Sequence, residues 1–286
     1  MRALVAGAGY LGTALAQRLV RQGHEVVVLR RSATVPPPGA QAFRADLLVP
    51  AALDALPRAD WVFYTAAADE RSDAAYRLAY VEGLARLVER LARMEPLPQR
   101  LLFTSSTAVY GQQGGEWVDE SSATEPADFA GQRLLEGEAL VHAAPFPGTL
   151  LRLGGIYGPG RRSLIERARA GAAFAPGYTN RIHREDAAAA LAHLAALPRA
   201  EVCVIGVDSA PTLACEVLSW LAQRLELPAP RPVPASAPRP APAPAGRGAR
   251  GGKRCRNARL LATGFRFRYP TYREGYEALL AEPEGE

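Results

Sequence analysis

The stretch Met1-Arg2-Ala3-Leu4-Val5-Ala6-Gly7-Ala8-Gly9-Tyr10-Leu11-Gly12 decides the fold. Residues 3–6 are an apolar run long enough for one buried strand and too short for a helix. Gly7, Gly9 and Gly12 follow at G-x-G-x-x-G spacing, and residues 13–21 then place Leu15, Leu19 and Val20 on one helical face. Residues 25–29 supply a second strand and close a βαβ unit. Each glycine has its own mechanical reason. Gly7 makes the tight turn, Gly9 lets backbone approach a pyrophosphate, and Gly12 allows the helix to pack closely on the strand. The helix N-terminus behind them offers unpaired N–H groups to phosphates. A dinucleotide site lined by Gly7, Gly9, Tyr10, Leu11 and Gly12 is therefore expected.

The second strand ends in Leu29-Arg30-Arg31-Ser32. In units of this kind an acid near this point bonds a ribose 2′-OH, whereas arginine accommodates a 2′-phosphate. Arg30 lies 18 residues beyond Gly12 with no acid nearby. Guanidinium matches phosphate in a two-pronged way, so Arg30 and Arg31 predict NADP, with NAD the lesser alternative. Residues 42–45 read as a third strand ending at Asp46-Leu47, an adenine contact. Residues 61–65 are a continuous buried run typical of parallel strands. Ala66 and Ala67 at its end are small enough for a cofactor to lie close. A long helix is expected over 73–94, a fifth strand over 101–104 and a sixth over 149–153.

The 286-residue chain is long enough for a large α/β domain with an appendage. No apolar run approaches the roughly 20 residues that span a bilayer, and residues 1–12 enter a strand at once, so neither membrane nor signal peptide is expected. Three cysteines, an odd number without C-x-x-C, suit a reducing cytoplasmic setting better than disulfides or zinc. The net charge of +5 is carried almost wholly by arginine, Lys253 being the only lysine. Positives alternate with acids except over 239–268, which reads as a solvated basic linker in preference to a nucleic-acid patch.

Beyond the glycines, the informative stretches are Phe103-Thr-Ser105-Ser106-Thr107-Ala-Val-Tyr110-Gly111 and Arg152-Leu-Gly-Gly-Ile-Tyr157-Gly-Pro-Gly160. With GAGYLG and Asp46-Leu47, they give residues 1–200 a resemblance to the short-chain dehydrogenase/reductase superfamily, in its extended, epimerase/dehydratase-like branch. The resemblance implies an α/β chain: a Rossmann-type doubly wound parallel sheet with a small C-terminal substrate-covering region. It places the boundary near 156, with residues 157–286 finishing the sheet and covering the substrate. It also implies that Ser106 falls where the family keeps a hydroxyl on the substrate.

One departure from the pattern is chemical. Where the family's Tyr-x-x-x-Lys supplies a phenol and an ammonium, this chain has Phe129 and Arg133. A benzyl ring has no proton to exchange, and one lysine at 253 leaves no Tyr-x-x-x-Lys anywhere. The chain is in this respect similar to atypical members, the bacterial YeeZ-type proteins, which share its Gly131–Glu138 helix, Asn180–His183 segment and Gly252-Lys253-Arg254…Tyr269-Pro270 ending. The implied function is an NAD(P)-dependent oxidoreductase or epimerase-like enzyme for an unidentified small molecule. Ser106 and Thr107 would hold the substrate oxygen, Arg133 would bind ribose or a substrate anion, and an acid/base must come from Tyr110, Tyr157, His183 or Glu136. The alternative is a catalytically inactive NADP(H)-binding sensor or partner-binding protein. A small-molecule substrate is the expected partner; a homodimer is compatible with the sequence, which does not fix the oligomeric state.

Toward the C-terminus, helices are expected over 187–197, 212–225, 257–261 and 272–281, with a strand over 202–206. Residues 161–171 and 174–180 read as an excursion over the site, and 228–252 as a Pro-rich linker or, equally, a cover over the substrate. The alternation Gly-Phe-Arg-Phe-Arg-Tyr over 264–269 suggests one more strand.

Overall fold

Alternate residues of the first strand, β1 (Arg2–Ala6), feed two different cores: Leu4 and Ala6 one, Ala3 and Val5 the other. That two-residue period is the consequence of side chains alternating across a pleated strand. The computed structural model describes residues 1–33, 35–172, 177–230 and 252–282. After β1 come α1 (Tyr10–Arg21), β2 (Glu25–Arg30), β3 (Ala40–Arg44), β4 (Trp61–Tyr64), α2 (Asp73–Arg77), α3 (Gly83–Ala92) and β5 (Arg100–Ser106). The short β6 (Trp117–Val118) precedes α4 (Phe129–His142), β7 (Gly148–Leu153), β8 (Gly155–Tyr157) and α5 (Ser163–Arg169). Then follow β9 (Tyr178–Thr179), β10 (Arg181–His183), α6 (Arg184–Ala196), β11 (Cys203–Gly206), β12 (Thr212–Leu213) and α7 (Ala214–Arg224). The chain closes with β13 (Arg254–Cys255), α8 (Ala258–Ala262) and α9 (Tyr272–Ala281).

Seven strands make one parallel sheet in the order β11-β7-β5-β4-β1-β2-β3. The order reverses between β1 and β4, and sheets of this type hold ligands outside the carboxyl ends of the strands at such a point. On one face Leu84, Leu87 and Leu91 of α3 pack with Leu134 and Val141 of α4 against the sheet. On the other, Leu15 and Leu19 of α1 meet Ala188 and Leu191 of α6. A third apolar cluster stands apart, built from Tyr157, Ile165, Val217, Leu221, Tyr276 and Leu279. The fold is thus the doubly wound Rossmann-like α/β sheet that the sequence predicts, and α6 and β11 complete it beyond residue 156. Among the described residues no helix is long and apolar enough to cross a membrane.

Three elements differ from expectation, each for a reason outside local pattern. The helix expected over 73–94 is broken by a π turn at Leu78–Glu82. There the Tyr64 hydroxyl donates to the Ala79 carbonyl, and a side chain at Gly83 would sit 3.0 Å from that hydroxyl. Such insertions into the ladder frequently mark functional places. Residues 264–269 are not a strand. The Arg268 and Tyr269 amides donate to the two Asp186 carboxylate oxygens at 2.8 and 2.9 Å, and Phe265 is buried in the α1–α6 core. Helix α1 starts at Tyr10, three residues before the apolar period begins to show. Most of the linker expected over 228–252, and part of the excursion over 174–180, lie outside the described residues.

Candidate functional site

At the reversal point lies a cleft of about 980 Å³. The three glycines frame it in different ways. Gly7 has φ +101°, and a Cβ there would lie 2.3 Å from the Ala66 amide nitrogen, so only glycine can make this turn. A Cβ on Gly12 would lie 2.0 Å from the Gly7 carbonyl oxygen, which holds α1 against the turn. The Cβ direction of Gly9 is open, with nothing within 4 Å. Gly9 is also the N-cap of α1 and offers no side-chain cap, so the first amides of the helix are left for a ligand. The Thr65 hydroxyl donates to the Gly7 carbonyl at 2.6 Å and pins the turn. Tyr10 and Leu11 line the cleft beside Gly7 and Gly9. The Tyr10 ring lies under the Arg161 and Arg184 guanidinium groups, 4.0 and 4.8 Å from its centroid. Burial raises the Tyr10 pKa, with the two arginines opposing.

Arg30 and Arg31 line one end of the cleft, and Asp46 and Leu47 lie along the same edge. Arg31 grips Asp69 with one nitrogen on both carboxylate oxygens, at 2.8 and 2.7 Å, while Arg30 Nε donates to Ser32 Oγ at 3.2 Å. Asp46 turns Oδ1 onto the Leu48 amide at 2.9 Å, shaping the loop after β3. Ala66 and Ala67 line the floor past β4. Ser106 lines the far end, where its Oγ accepts from the Ala108 amide at 3.2 Å and keeps its own proton to donate. Thr107 begins the short turn Thr107–Val109 and does not line the cleft.

The remaining candidates are placed elsewhere. Arg133 is outside the lining, its guanidinium bound to Asp73 at 2.8 and 2.9 Å and to Glu136 at 2.6 Å. That pairing occupies Glu136 as well. His183 is 2% exposed, its Nδ1 accepts the Glu185 amide at the start of α6, and its ring lies 4.1 Å from that of Tyr269. Burial lowers its pKa to about 4, which suits a neutral structural imidazole. Tyr157 stacks on Tyr276 at 4.6 Å in the C-terminal cluster, and Tyr110 accepts from the Arg152 guanidinium at 2.8 Å. Both tyrosines have their pKa raised, chiefly by burial. The structure therefore gathers Gly7, Gly9, Tyr10, Leu11, Arg30, Arg31, Asp46, Leu47, Ala66, Ala67 and Ser106 around one cleft, and leaves Gly12, which packs α1 on the turn, with Thr107, Arg133, Tyr157 and His183 outside its lining.

Sequence reasoning missed Tyr76, Tyr80 and Asp69, which also line the cleft. Tyrosines at helical spacing read as packing in a sequence, and only the fold brings Tyr76 of α2 and Tyr80 of the π turn to the cleft wall. It also missed a buried network behind β5, in which Glu138 accepts from Ser105 at 2.6 Å and from Arg152 at 2.9 and 2.6 Å.

A family model described as the NAD dependent epimerase/dehydratase family matches residues 3–197. A solved putative NAD-dependent epimerase/dehydratase from Methylobacillus flagellatus is 40% identical, with 98% of this chain and 97% of that one covered at a TM-score of 0.80. The UDP-glucose 4-epimerase of Streptomyces lividans is 30% identical over 155 residues, 48% of this chain and 46% of that protein. The chain spans about half the length of the curated relatives it matches. The human epimerase family protein SDR39U1, solved with NADPH, shares the fold at a TM-score of 0.76 and 22% identity, over 97% of this chain and 98% of that one.

Proposed function

The chain belongs to the NAD dependent epimerase/dehydratase family, and on that premise we propose that it is an NADP(H)-using oxidoreductase or epimerase-like enzyme of the atypical short-chain class. The observation that carries this reading is one continuous cleft running from Arg30 past the open Cβ direction of Gly9 to Ser106. A dinucleotide fits it: the uncapped start of α1 takes the pyrophosphate, small Ala66 and Ala67 accept a flat ring, and arginine ends β2. When bound, such a cofactor supplies the hydride chemistry, and the protein supplies position and electrostatics. Arg30 would take the 2′-phosphate with charge-assisted hydrogen bonds. The Ser106 hydroxyl would donate to a substrate oxygen. The name of the Streptomyces lividans relative makes a nucleotide-linked sugar the first substrate class to test. Three free cysteines support a reducing compartment.

Calorimetric titration tests the cofactor. NADPH should bind more tightly than NADH, and Arg30→Asp should reverse the order by losing about 1.5–3 kcal/mol, roughly tenfold to a hundredfold in affinity. Equal affinity for the two would end the NADP assignment. A second reading, an NADP(H)-binding protein without turnover, is favoured by Phe129 and by the engagement of Arg133 with two carboxylates. A screen of carbonyl compounds, UDP-sugars included, at fixed NADPH separates the two. Consumption of NADPH supports the enzyme; bound but unconsumed NADPH supports the sensor.

A further inference from the structure

Four tyrosines line the cleft, and three are accounted for by their surroundings. Tyr64 donates to the Ala79 carbonyl. Tyr10 lies beneath two arginines at the glycine turn, and its hydroxyl, although without a hydrogen-bond partner, is fully buried there and closed to a substrate. Tyr80 is deeply packed against Phe103, with centroids 6.4 Å apart, and burial pushes its phenol up to about 12. Tyr76 differs. It is half-buried on the cleft wall, and its hydroxyl enters no side-chain hydrogen bond among the described residues. Its ring meets Phe129 edge-on, with centroids 5.5 Å apart and planes at 89°.

The helix that carries Tyr76 is clamped in place. Asp73, the first residue of α2, is held by Arg133 of α4, and Asp128, the N-cap of α4, is held by Arg71 at 2.6 Å. Arg71 also lies over the Phe129 ring, 5.2 Å from its centroid. The start of α2 is thus tied to the start of α4 at two points, and Tyr76 sits within a turn of one of them. A hydroxyl placed to exchange a proton needs both access to the cleft and a held backbone; Tyr76 lines the cleft and stands on a helix start held at two points.

We propose that Tyr76 is the catalytic acid–base of this cleft, supplying from α2 the exchangeable proton that Phe129 on α4 cannot. The assignment rests on the dinucleotide reading above. In the reducing direction the Tyr76 O–H bond breaks and a new O–H bond forms on the substrate's carbonyl oxygen. The carbonyl carbon gains a hydride, for which a reduced nicotinamide dinucleotide is the co-reactant, and the phenolate regains its proton from water. In the oxidising direction the phenolate takes the proton of the substrate's hydroxyl while the carbon bearing it loses a hydride, for which an oxidised nicotinamide dinucleotide is the co-reactant. Ser106 holds the same oxygen by its donated hydrogen bond. Arg133 and Arg71 are positioning residues, acting through the α2–α4 clamp.

Two measurements test this. The first is a near-ultraviolet phenol titration of wild type and Tyr76→Phe, each saturated with NADP+ or with NADPH. A cationic nicotinamide near Tyr76 should lower one phenol's titration by about one pH unit or more relative to the reduced form. That difference should vanish in Tyr76→Phe. The second is turnover of whichever carbonyl the NADPH screen yields. Tyr76→Phe should lower kcat about 10²- to 10⁴-fold with KM little changed, and adding Phe129→Tyr should restore part of it by returning a phenol one ring away. A structural role for Tyr76 would predict no such rescue. Unchanged kcat in Tyr76→Phe, or the same titration difference in both proteins, overturns the assignment. NADPH bound but never consumed overturns it together with the enzyme reading, and no NADPH binding overturns the dinucleotide site on which both stand.

Discussion

The Arg133 guanidinium grips the Asp73 carboxylate along one edge, Nε to Oδ1 at 2.8 Å and Nη2 to Oδ2 at 2.9 Å, across 60 residues of sequence. Its remaining nitrogen reaches Glu136 at 2.6 Å. The Arg133 hydrogen bonds hold the Asp73 carboxyl below its usual range. A planar fork engaged by two carboxylates has little left for a ribose. Arg133→Gln should therefore leave NADPH affinity within about twofold, a difference well under 1 kcal/mol, while lowering turnover through a looser Tyr76. Fluorescence titration beside steady-state kinetics reads both; a tenfold weaker Kd would return the guanidinium to the cofactor.

The glycines predict opposite phenotypes. Gly9→Val should fold normally, since nothing lies within 4 Å of its Cβ direction, but lose NADPH binding because the branch fills the phosphate's space. Gly12→Ala should destabilise by about 1–3 kcal/mol through overpacking against the Gly7 carbonyl. Thermal unfolding and NADPH titration separate the two variants: the first should lose binding, the second should lose Tm. A Gly9→Val protein that still binds NADPH would place the pyrophosphate elsewhere.

Behind the cleft, Arg152 and Glu138 form a buried pair, 7% and 3% exposed. Removing one partner of such a pair leaves an uncompensated charge and costs about 3–5 kcal/mol. Arg152→Met should show this loss in urea unfolding, and Arg152→Met with Glu138→Leu should recover much of it. An Arg152→Met protein as stable as wild type would mean that the pair contributes nothing measurable.

Asp208 predicts a pH dependence. It is 1% exposed, and burial raises its carboxyl to about 7, with Arg181 opposing. The folded state thus holds a proton that the unfolded chain gives up near pH 4. Between those values the folded state binds more protons, so this group's contribution is full below about pH 4 and is lost as pH rises through about 7. Asp208→Asn should therefore gain stability relative to wild type over that window, by up to about 4 kcal/mol. Denaturant unfolding at several pH values checks the sign. His183 works the other way: its folded value of about 4 lies below the unfolded one, so its contribution is lost as pH falls. A difference between variant and wild type is the informative quantity, and one independent of pH would exclude a titrating Asp208.

What the sequence determined by itself was local. G-x-G-x-x-G between a strand run and a helical period specifies the turn, and the structure gives Gly7 and Gly12 no room for a Cβ. Buried runs such as residues 61–64 mark parallel strands, and seven strands make the sheet. The cleft's lining at Arg30, Asp46 and Ala66 follows from where such strands end. What tertiary structure alone decided was pairing over distance. No periodicity shows that Arg133 will meet Asp73, that Asp186 will take the amides of Arg268 and Tyr269 from a strand-like alternation, or that His183 will be buried against Tyr157 and Tyr269. Nor could it show Tyr76 on the cleft wall, because its helix is turned there by a Tyr64 hydroxyl and two ion pairs from α4 and its N-cap. Turns and strand runs are legible where neighbours in the chain set them, whereas side-chain chemistry, and the departures of the backbone at Leu78–Glu82 and 264–269, are set by neighbours in space.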